Sequence, residues 1–342
     1  MTIITFKPKQ VTKKLLSVLP DRGSDVLRRR FGLGAEDKKM TLEAIGGIYN
    51  ITRERVRQLE NSALDSIRKS DVFLNEQTSF DELKNLIFSL GGLVGEEDLL
   101  SNISKDKSTQ NSIILLLVLG EYFKKVKEDN NFKHRWAVDE DVARNVHEAL
   151  LSIYQNLSKD DLISESDIIT LFLNKLEEIS EQYKNEEIIK RWLSLSKTIG
   201  KNPLGEWGIA TSPNVNARGM KDYAFLVIRR HGSPMHFTEV AKAITDTFNK
   251  KAHVATCHNE LIKDKRFILV GRGLYALSDW GYEGGVVKDV IKNILKKHKV
   301  LTKEEITEKV LKERYVKENT ILVNLQDCRH FKKDTKGRYS VK

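Results

Sequence analysis

Apolar residues recur at helical spacing from the start of the chain. Leu15, Leu16, Val18 and Leu19 lead into Pro20, and Val26, Leu27 and Phe31 follow before Gly32 and Gly34 interrupt the pattern, which predicts two short helices. Residues 41–60 then read TLEAIGGIYNITRERVRQLE. Thr41 and Thr52 each stand where a hydroxyl can accept a hydrogen bond from a first-turn amide that lacks a partner within its helix. Asn50, between them, tolerates the left-handed backbone of a short turn, and Ala44 and Gly46 are small enough to let two helices cross closely. The expected element is a helix-turn-helix. In its second helix Val56, Leu59, Ala63, Leu64 and Ile67 form the inward stripe, which leaves Arg53, Glu54, Arg57, Gln58 and Asn61 together on the other face.

Further along, the pattern repeats itself. Residues 227–231 (VIRRH) can be laid on 294–298 (ILKKH), and Leu261, Phe267, Gly273 and Tyr275 fall on Leu325, Phe331, Gly337 and Tyr339 without a gap. Each copy predicts a first helix ending near a histidine, a second starting after Thr238 or Thr302, a third carrying Leu261 or Leu325, and a terminal hairpin. In the first copy, FILV (267–270) and LYAL (274–277) flank the turn Gly271, Arg272, Gly273, with Phe267 and Tyr275 expected in the core. Three helices closed by a two-stranded wing make a winged helix. The middle of the chain follows the same plan more loosely. Residues 92–99 match the spacing of 299–306, residues 123–126 and 135–138 supply a wing, and a further unit begins at 162–168 and ends at Trp207. The apolar run 113–119 reads as a buried third helix, and the turn-rich stretch 212–219 as a linker. The expected fold class is mainly α, with tandem helix-turn-helix and winged-helix domains carrying short β-hairpin wings. The expected boundaries are 11–70, 78–140, 141–211, 219–282 and 285–342.

Charge changes the picture because it is uneven. The 342 residues carry a formal net charge of +10, made up of +7 over residues 1–70, −9 over 71–211 and +12 over 212–342. Basic modules gain affinity for polyphosphates by counterion release, and an acidic one is repelled, although solvated lysine faces are also common in proteins with no such partner. No apolar stretch approaches the ~20 residues of a membrane span. The opening residues show no secretory signal pattern, and two cysteines, Cys257 and Cys328, are too few for a disulfide framework. A cytoplasmic protein is therefore expected. There is no P-loop and no His-Glu-x-x-His. His253, Cys257 and His258, with His231 and His236 upstream, approach metal spacing, but a zinc site needs four convergent ligands. No metal, no cofactor and no catalysis are expected.

The polar face of the helix starting at Arg53 has the chemistry of a base reader. Arginine can bond guanine bidentately, glutamine can read adenine and glutamate can accept from cytosine, and helix-turn-helix proteins place the amino-terminal end of the second helix in the major groove. The spacing alone also fits an ordinary solvated helix face. LPDR (19–22), VLRRRFGL (26–33), TLEAIG (41–46) and TRERVRQLE (52–60) resemble region 4 of primary bacterial sigma factors, over about residues 11–69; Gly23 stands where that family usually has glutamate. The resemblance implies that the second helix reads the minus-35 promoter element and that the earlier helices seat on the flap of the RNA polymerase beta subunit. It assigns base contacts to Arg53, Glu54, Arg57 and Gln58, and phosphate contacts to Thr52, Arg55 and Lys69. No segment resembles the promoter-melting domain of that family, so the chain is not expected to open a promoter alone.

DYA (222–224), GSPMHFTEVA (232–241) and FILVGRGLYAL (267–277) resemble the HARE-HTH domain, a winged-helical family found in the delta subunit of Gram-positive RNA polymerase, in restriction endonucleases and in chromatin-associated proteins. If its third helix reads DNA, the side chains concerned are Lys250, Lys251, His253, Thr256, His258 and Asn259, with Arg272 at the wing tip. Together the resemblances imply a bacterial, nucleoid-associated transcription factor whose partners are double-stranded DNA and RNA polymerase, with no membrane. The alternatives are a polymerase- or DNA-associated scaffold, delta-subunit-like, and a DNA-specificity component of a restriction system.

Overall fold

The computed structural model describes residues 4–34, 37–176, 183–282 and 285–342. Proline at the first position of α1 (Pro8–Leu16) costs the helix nothing, because that amide would be unpaired anyway. Helix α2 (Asp21–Phe31) stops where Gly32 turns left-handed, at φ 67°. The pair α3 (Leu42–Tyr49) and α4 (Arg53–Arg68) follows. Next come α5 (Asp71–Asn75), α6 (Gln77–Ser89), β1 (Leu93–Gly95), α7 (Glu96–Ile103), α8 (Lys107–Leu119), β2 (Lys124–Val126) and β3 (Arg135–Ala137). The plan recurs in α9 (Glu140–Asn156), α10 (Glu165–Leu173), α11 (Glu186–Leu193), β4 (Ile199–Lys201) and β5 (Trp207–Ile209). It recurs again in α12 (Met220–His231), β6 (Met235–His236), α13 (Phe237–Phe248), α14 (Val254–Lys263), β7 (Phe267–Gly271) and β8 (Leu274–Leu277). Last are α15 (Val287–His298), α16 (Lys303–Glu313), α17 (Glu318–Leu325), β9 (Phe331–Lys333) and β10 (Tyr339–Val341). The chain is mainly α with small antiparallel sheets.

The wings are more than hairpins. In two repeats a short strand before the second helix pairs with the last strand of the wing, giving the orders β1-β3-β2 and β6-β8-β7. The other two keep the same contact as a single bridge, Ile163 to Trp207 and Leu301 to Tyr339. Each second helix is thereby tied to its wing by backbone hydrogen bonds. The cap of α13 also differs from expectation. The helix begins at Phe237, one residue before Thr238, because the His236 ring accepts the Thr238 amide while the Glu239 carboxylate accepts the His236 amide at 3.1 Å.

By contact density the chain forms two compact units. The first extends to Gly200 and includes Trp207–Ala210; the second consists of Lys201–Glu206 and everything from Thr211 onward. The stretch 212–219 is not an exposed linker, because Ser212, Asn214 and Val215 are buried in the second unit. Arg266 donates to the Asn214 side chain at 3.3 Å and to Asp222 at 2.9 Å, and the Ser212 hydroxyl accepts the Asn214 amide. Turn-forming composition marks a change of direction, and burial there comes from a distant arginine.

Within the first unit, α8 is buried on nearly every side, from Asn111 through Leu117 and at Leu119. Leu15, Leu16, Leu27, Phe31, Leu64 and Ile67 from α1, α2 and α4 join it in one core with Phe80, Leu83 and Ile87 of α6 and Leu99 of α7. Polar contacts tie it to the same segments, while the Asn111 Oδ1 is buried without a hydrogen-bond partner. Asn111 donates to the carbonyls of Gly32 and Asp37 at 2.9 and 3.0 Å. Arg68 donates to those of Val118 and Leu119 at 2.8 and 3.2 Å, which the end of a helix leaves unpaired. The segments on either side of residues 70–78 therefore share their hydrophobic interior.

A second buried polar contact lies in the same unit. Arg135 donates to His147 Nε2 at 2.7 Å and to Asp129 at 3.2 Å, with its guanidinium over the Phe132 ring. Burial, and then the neighbouring Arg135 charge, push the His147 imidazole down to about 4. The unfolded chain thus takes up a proton near pH 6.5 that the folded state refuses until about 4, so stability is lost as pH falls through that window. Denaturant midpoints measured between these limits should decline for the wild type and decline less steeply for His147→Gln; identical slopes would contradict this assignment.

Candidate nucleic-acid interface

The site is built from the junction of α3 and α4. Thr41 accepts the Ala44 amide at 3.1 Å and Thr52 the Arg55 amide at 3.2 Å, so both helix starts are capped as their sequence requires. Asn50 takes the left-handed conformation, φ 52°. The crossing depends on Gly46. A β-carbon there would lie 2.6 Å from the Ile51 carbonyl oxygen. Ala44, expected to share this role, is exposed instead, because its side of α3 faces solvent. Val26, Ile45 and Val56 form a small core beneath the junction, with Met40, Leu42, Tyr49, Ile51 and Leu59 packed around it.

Polar contacts from α2 brace α3 and α4. The Tyr49 hydroxyl donates to the Asp25 carboxylate, which also accepts from Arg29. Partial burial raises the Asp25 carboxyl, yet the hydrogen bonds from Tyr49 and Arg29 outweigh it and hold the group below the usual carboxylate range. Arg22 lies over the Tyr49 ring, 5.2 Å from its centre. Arg30 reaches Glu60 of α4 at 3.4 Å and the Met40 carbonyl at 3.1 Å. None of these braces was apparent in the sequence; the spacing of Asp25 and Arg29, one helical turn apart, was the available signal.

With its apolar side fixed, α4 turns Arg53, Glu54, Arg55, Arg57, Gln58 and Asn61 to solvent. They are not all independent. Arg57 donates to both oxygens of Glu54, at 2.9 and 2.7 Å, and Arg55 donates to the Gln58 carbonyl at 3.0 Å. The Arg57 hydrogen bonds lower the Glu54 carboxyl, and those of Glu54 raise the Arg57 guanidinium. Arg53 has no side-chain partner among the described residues. Thr52 has its oxygen engaged as a cap, which leaves its hydroxyl proton free for a phosphate. Lys69 caps the opposite end of α4, roughly 25 Å along the helix axis from Thr52. It does not join the cluster.

The downstream candidates divide likewise. Lys251, His253, Thr256 and Asn259 are exposed in and just before the first half of α14, and Arg272 is exposed at the wing tip. Lys250 and His258 are committed to packing: the Lys250 ammonium lies 4.3 Å from the centre of the Tyr223 ring, and His258 stacks on Phe237 at 4.2 Å. Phe267 and Tyr275 are buried. Burial pushes the Cys257 thiol up to about 11, so it holds its proton. Among the described residues no three histidine, cysteine or carboxylate side chains converge on a metal position, and no helix is long and apolar enough to cross a membrane.

Residues 15–69 match the family Sigma-70, region 4. A stretch of 57 residues is 53% identical to the RNA polymerase sigma factor SigA of Nostoc sp. strain PCC 7120, covering 16% of this chain and 14% of that protein. The likeness thus covers the helix-turn-helix and its bracing helices, and the chain spans about a seventh of that relative's length.

The crossing at Gly46 gives a direct test of how the site is positioned. Gly46→Ala should destabilise the fold by about 1–3 kcal/mol through overpacking, whereas Ala44→Ser should change it by less than about 0.5 kcal/mol. Chemical denaturation of both variants checks the difference.

Proposed function

We propose that the chain is a DNA-binding transcription factor that reads a minus-35-like promoter element with the amino-terminal half of α4 and works together with RNA polymerase. One observation carries this reading. In a segment matching Sigma-70, region 4, the residues with base-reading chemistry occupy the exposed side of a helix whose other side is locked into a core. Entry into a major groove would exchange the Glu54–Arg57 pair for base edges. Arg57 would take guanine, Glu54 the amino group of cytosine and Gln58 adenine, with Arg53 the free guanidinium beside them. Fully exposed ion pairs contribute little, so this exchange meets small resistance. Gln58 would release Arg55 to a phosphate, and Thr52 would offer its hydroxyl.

The polymerase contact is read from exposed positions. The apolar faces of α1 and α2 are filled by α8, so a beta-flap contact would fall on outward residues such as Lys13, Arg22 and Arg28. The five segments 11–70, 78–140, 141–211, 219–282 and 285–342 are read as successive helix-turn-helix or winged-helix modules of a nucleoid-associated bacterial protein. Lys251, His253, Thr256, Asn259 and Arg272 of the HARE-HTH-like module would add DNA grip. A scaffold role for the middle has specific support: α8 holds the third-helix position of its module and is buried, so it has no face to offer a groove.

Titration of duplexes carrying minus-35-like and scrambled sequences tests the reading. The wild type should prefer the former, and Arg57→Ala should lose roughly tenfold or more of that preference while retaining its affinity for the scrambled duplex to within a few-fold. Equal wild-type affinity for both duplexes would refute base reading.

A further inference from the structure

The last module places its positive charge in an unexpected position. Residues 285–342 carry 16 basic and 8 acidic side chains, yet α17, in the third-helix position, has no lysine or arginine. Its exposed residues are Glu318, Asn319, Thr320 and Val323. A phosphate backbone laid along that face would meet one carboxylate within the helix and a single cation, the N-cap residue Lys317, at its start.

One group of cations lies where α15 passes the turn leading into β9. Lys288 Nζ donates to His330 Nε2 at 3.3 Å. Lys292 lies one helical turn beyond Lys288 on the same face of α15, and Arg329 adjoins His330 in the chain. Two carboxylates among the described residues lie near this group: Asp289, beside Lys288 in the chain and one turn before Lys292, accepts the Val286 amide at 3.4 Å, and the other is Asp327. It is already held by Arg329 through two hydrogen bonds at 3.0 and 3.1 Å, and lies 4.0 Å from His330. Neither Lys288 nor Lys292 has a carboxylate partner among the described residues. Partial burial, then the charges of Lys292 and Lys288, depress the His330 imidazole. The group offers two ammonium donors without a carboxylate partner among the described residues, beside a guanidinium that Asp327 holds.

We propose that Lys288, Lys292, Arg329 and His330 bind the phosphate backbone of duplex DNA, so that this module grips DNA through its first helix and the approach to its wing, and not through its third helix. The proposal rests on the reading that the chain acts on duplex DNA. It assigns to this patch a sequence-independent contact, whereas α4 supplies discrimination. Lysine suits that division, since an ammonium is a point charge that meets a phosphate without reading its neighbours.

The test uses the full chain and a scrambled duplex, with affinity followed by fluorescence anisotropy over a range of salt. Lys288→Ala/Lys292→Ala/Arg329→Ala should lower the slope of log K against log salt by about 2 to 3 and weaken binding about tenfold or more near 0.1 M salt, at ~0.9 in slope per phosphate contact. The milder Lys288→Gln/Lys292→Gln should lower the slope by about 2, and it serves as the decisive variant if the triple one does not fold. Lys288→Arg/Lys292→Arg should preserve both quantities, as should Asn319→Ala/Thr320→Ala on α17. The ratio of affinities for minus-35-like and scrambled duplexes should be unchanged by the patch variants; a lost ratio with an unchanged slope would fault the patch and leave the reading helix at issue. An unchanged slope and affinity in the charge-removing variants would overturn the proposal, as would an equal loss on changing α17. Intact DNA binding with lost copurification of RNA polymerase would overturn it in favour of a protein contact.

Discussion

One helix buried on nearly all sides holds the helix-turn-helix in place. The side chains of α8 from Ile113 to Leu117, with Leu119, share one core with residues of α1, α2, α4, α6 and α7. Burial stabilises by roughly 25 cal/mol per Å² of apolar surface removed from water. Nearly every turn of it is shared by two modules. Its ends are closed by Asn111, which takes the Gly32 and Asp37 carbonyls, and by Arg68, which takes those of Val118 and Leu119. A polar group buried without partners costs more than a satisfied one returns, so these contacts fix the register of α8 against the helix-turn-helix as well as its depth. The α4 face that carries Arg53, Glu54, Arg57 and Gln58 points outward because its opposite face has no other place to go.

The repeated modules show how one plan is divided among roles. All four winged units tie the residue before the second helix to the end of the wing, by a strand or by a single bridge. Their third helices differ. In α8 it is a core element, and in α14 the buried residues are Cys257 and Leu261 alone, leaving a polar face beside an exposed wing tip. In α17 it is exposed but uncharged or acidic along its outer face, while Lys288 of α15 reaches His330 in the turn before β9. Backbone pairing is indifferent to side chains, so the frame persists while each outer face is free to change its chemistry.

Much of this was legible in the residues. The caps at Thr41 and Thr52, the turn at Asn50 and the outward set on α4 follow from local rules that tertiary packing does not override. The alignment of Leu261, Phe267, Gly273 and Tyr275 with Leu325, Phe331, Gly337 and Tyr339 exposed the wings. What stayed hidden depends on distant partners. The run 113–119 announces burial without saying that two modules meet on it. Ser212 and Asn214 look like an exposed linker until Arg266 is placed over them. The strand Met235–His236 is too short to show alternation, and His236 caps α13 through a ring nitrogen that composition does not mark as a cap. The pairing of Glu54 with Arg57 is a matter of spacing that the sequence permits and only the coordinates select.

The electrostatics of the reading face follow from its exposure. Glu54 and Arg57 neutralise each other in the free chain, and Arg55 donates to the neutral Gln58 side-chain oxygen, so the charges of Arg53 and Arg55 stay uncompensated on this face. On the proposed reading, discrimination would come from exchange of partners, with a wrong base leaving groups unpaired. The most direct measurement is to sequence duplexes selected from a randomised pool by the full chain and by its Arg57→Ala variant. The account predicts a shared motif for the wild type and loss of one guanine preference, with the neighbouring positions kept, for the variant. A pool without enrichment, or a motif that Arg57→Ala leaves intact, would contradict it.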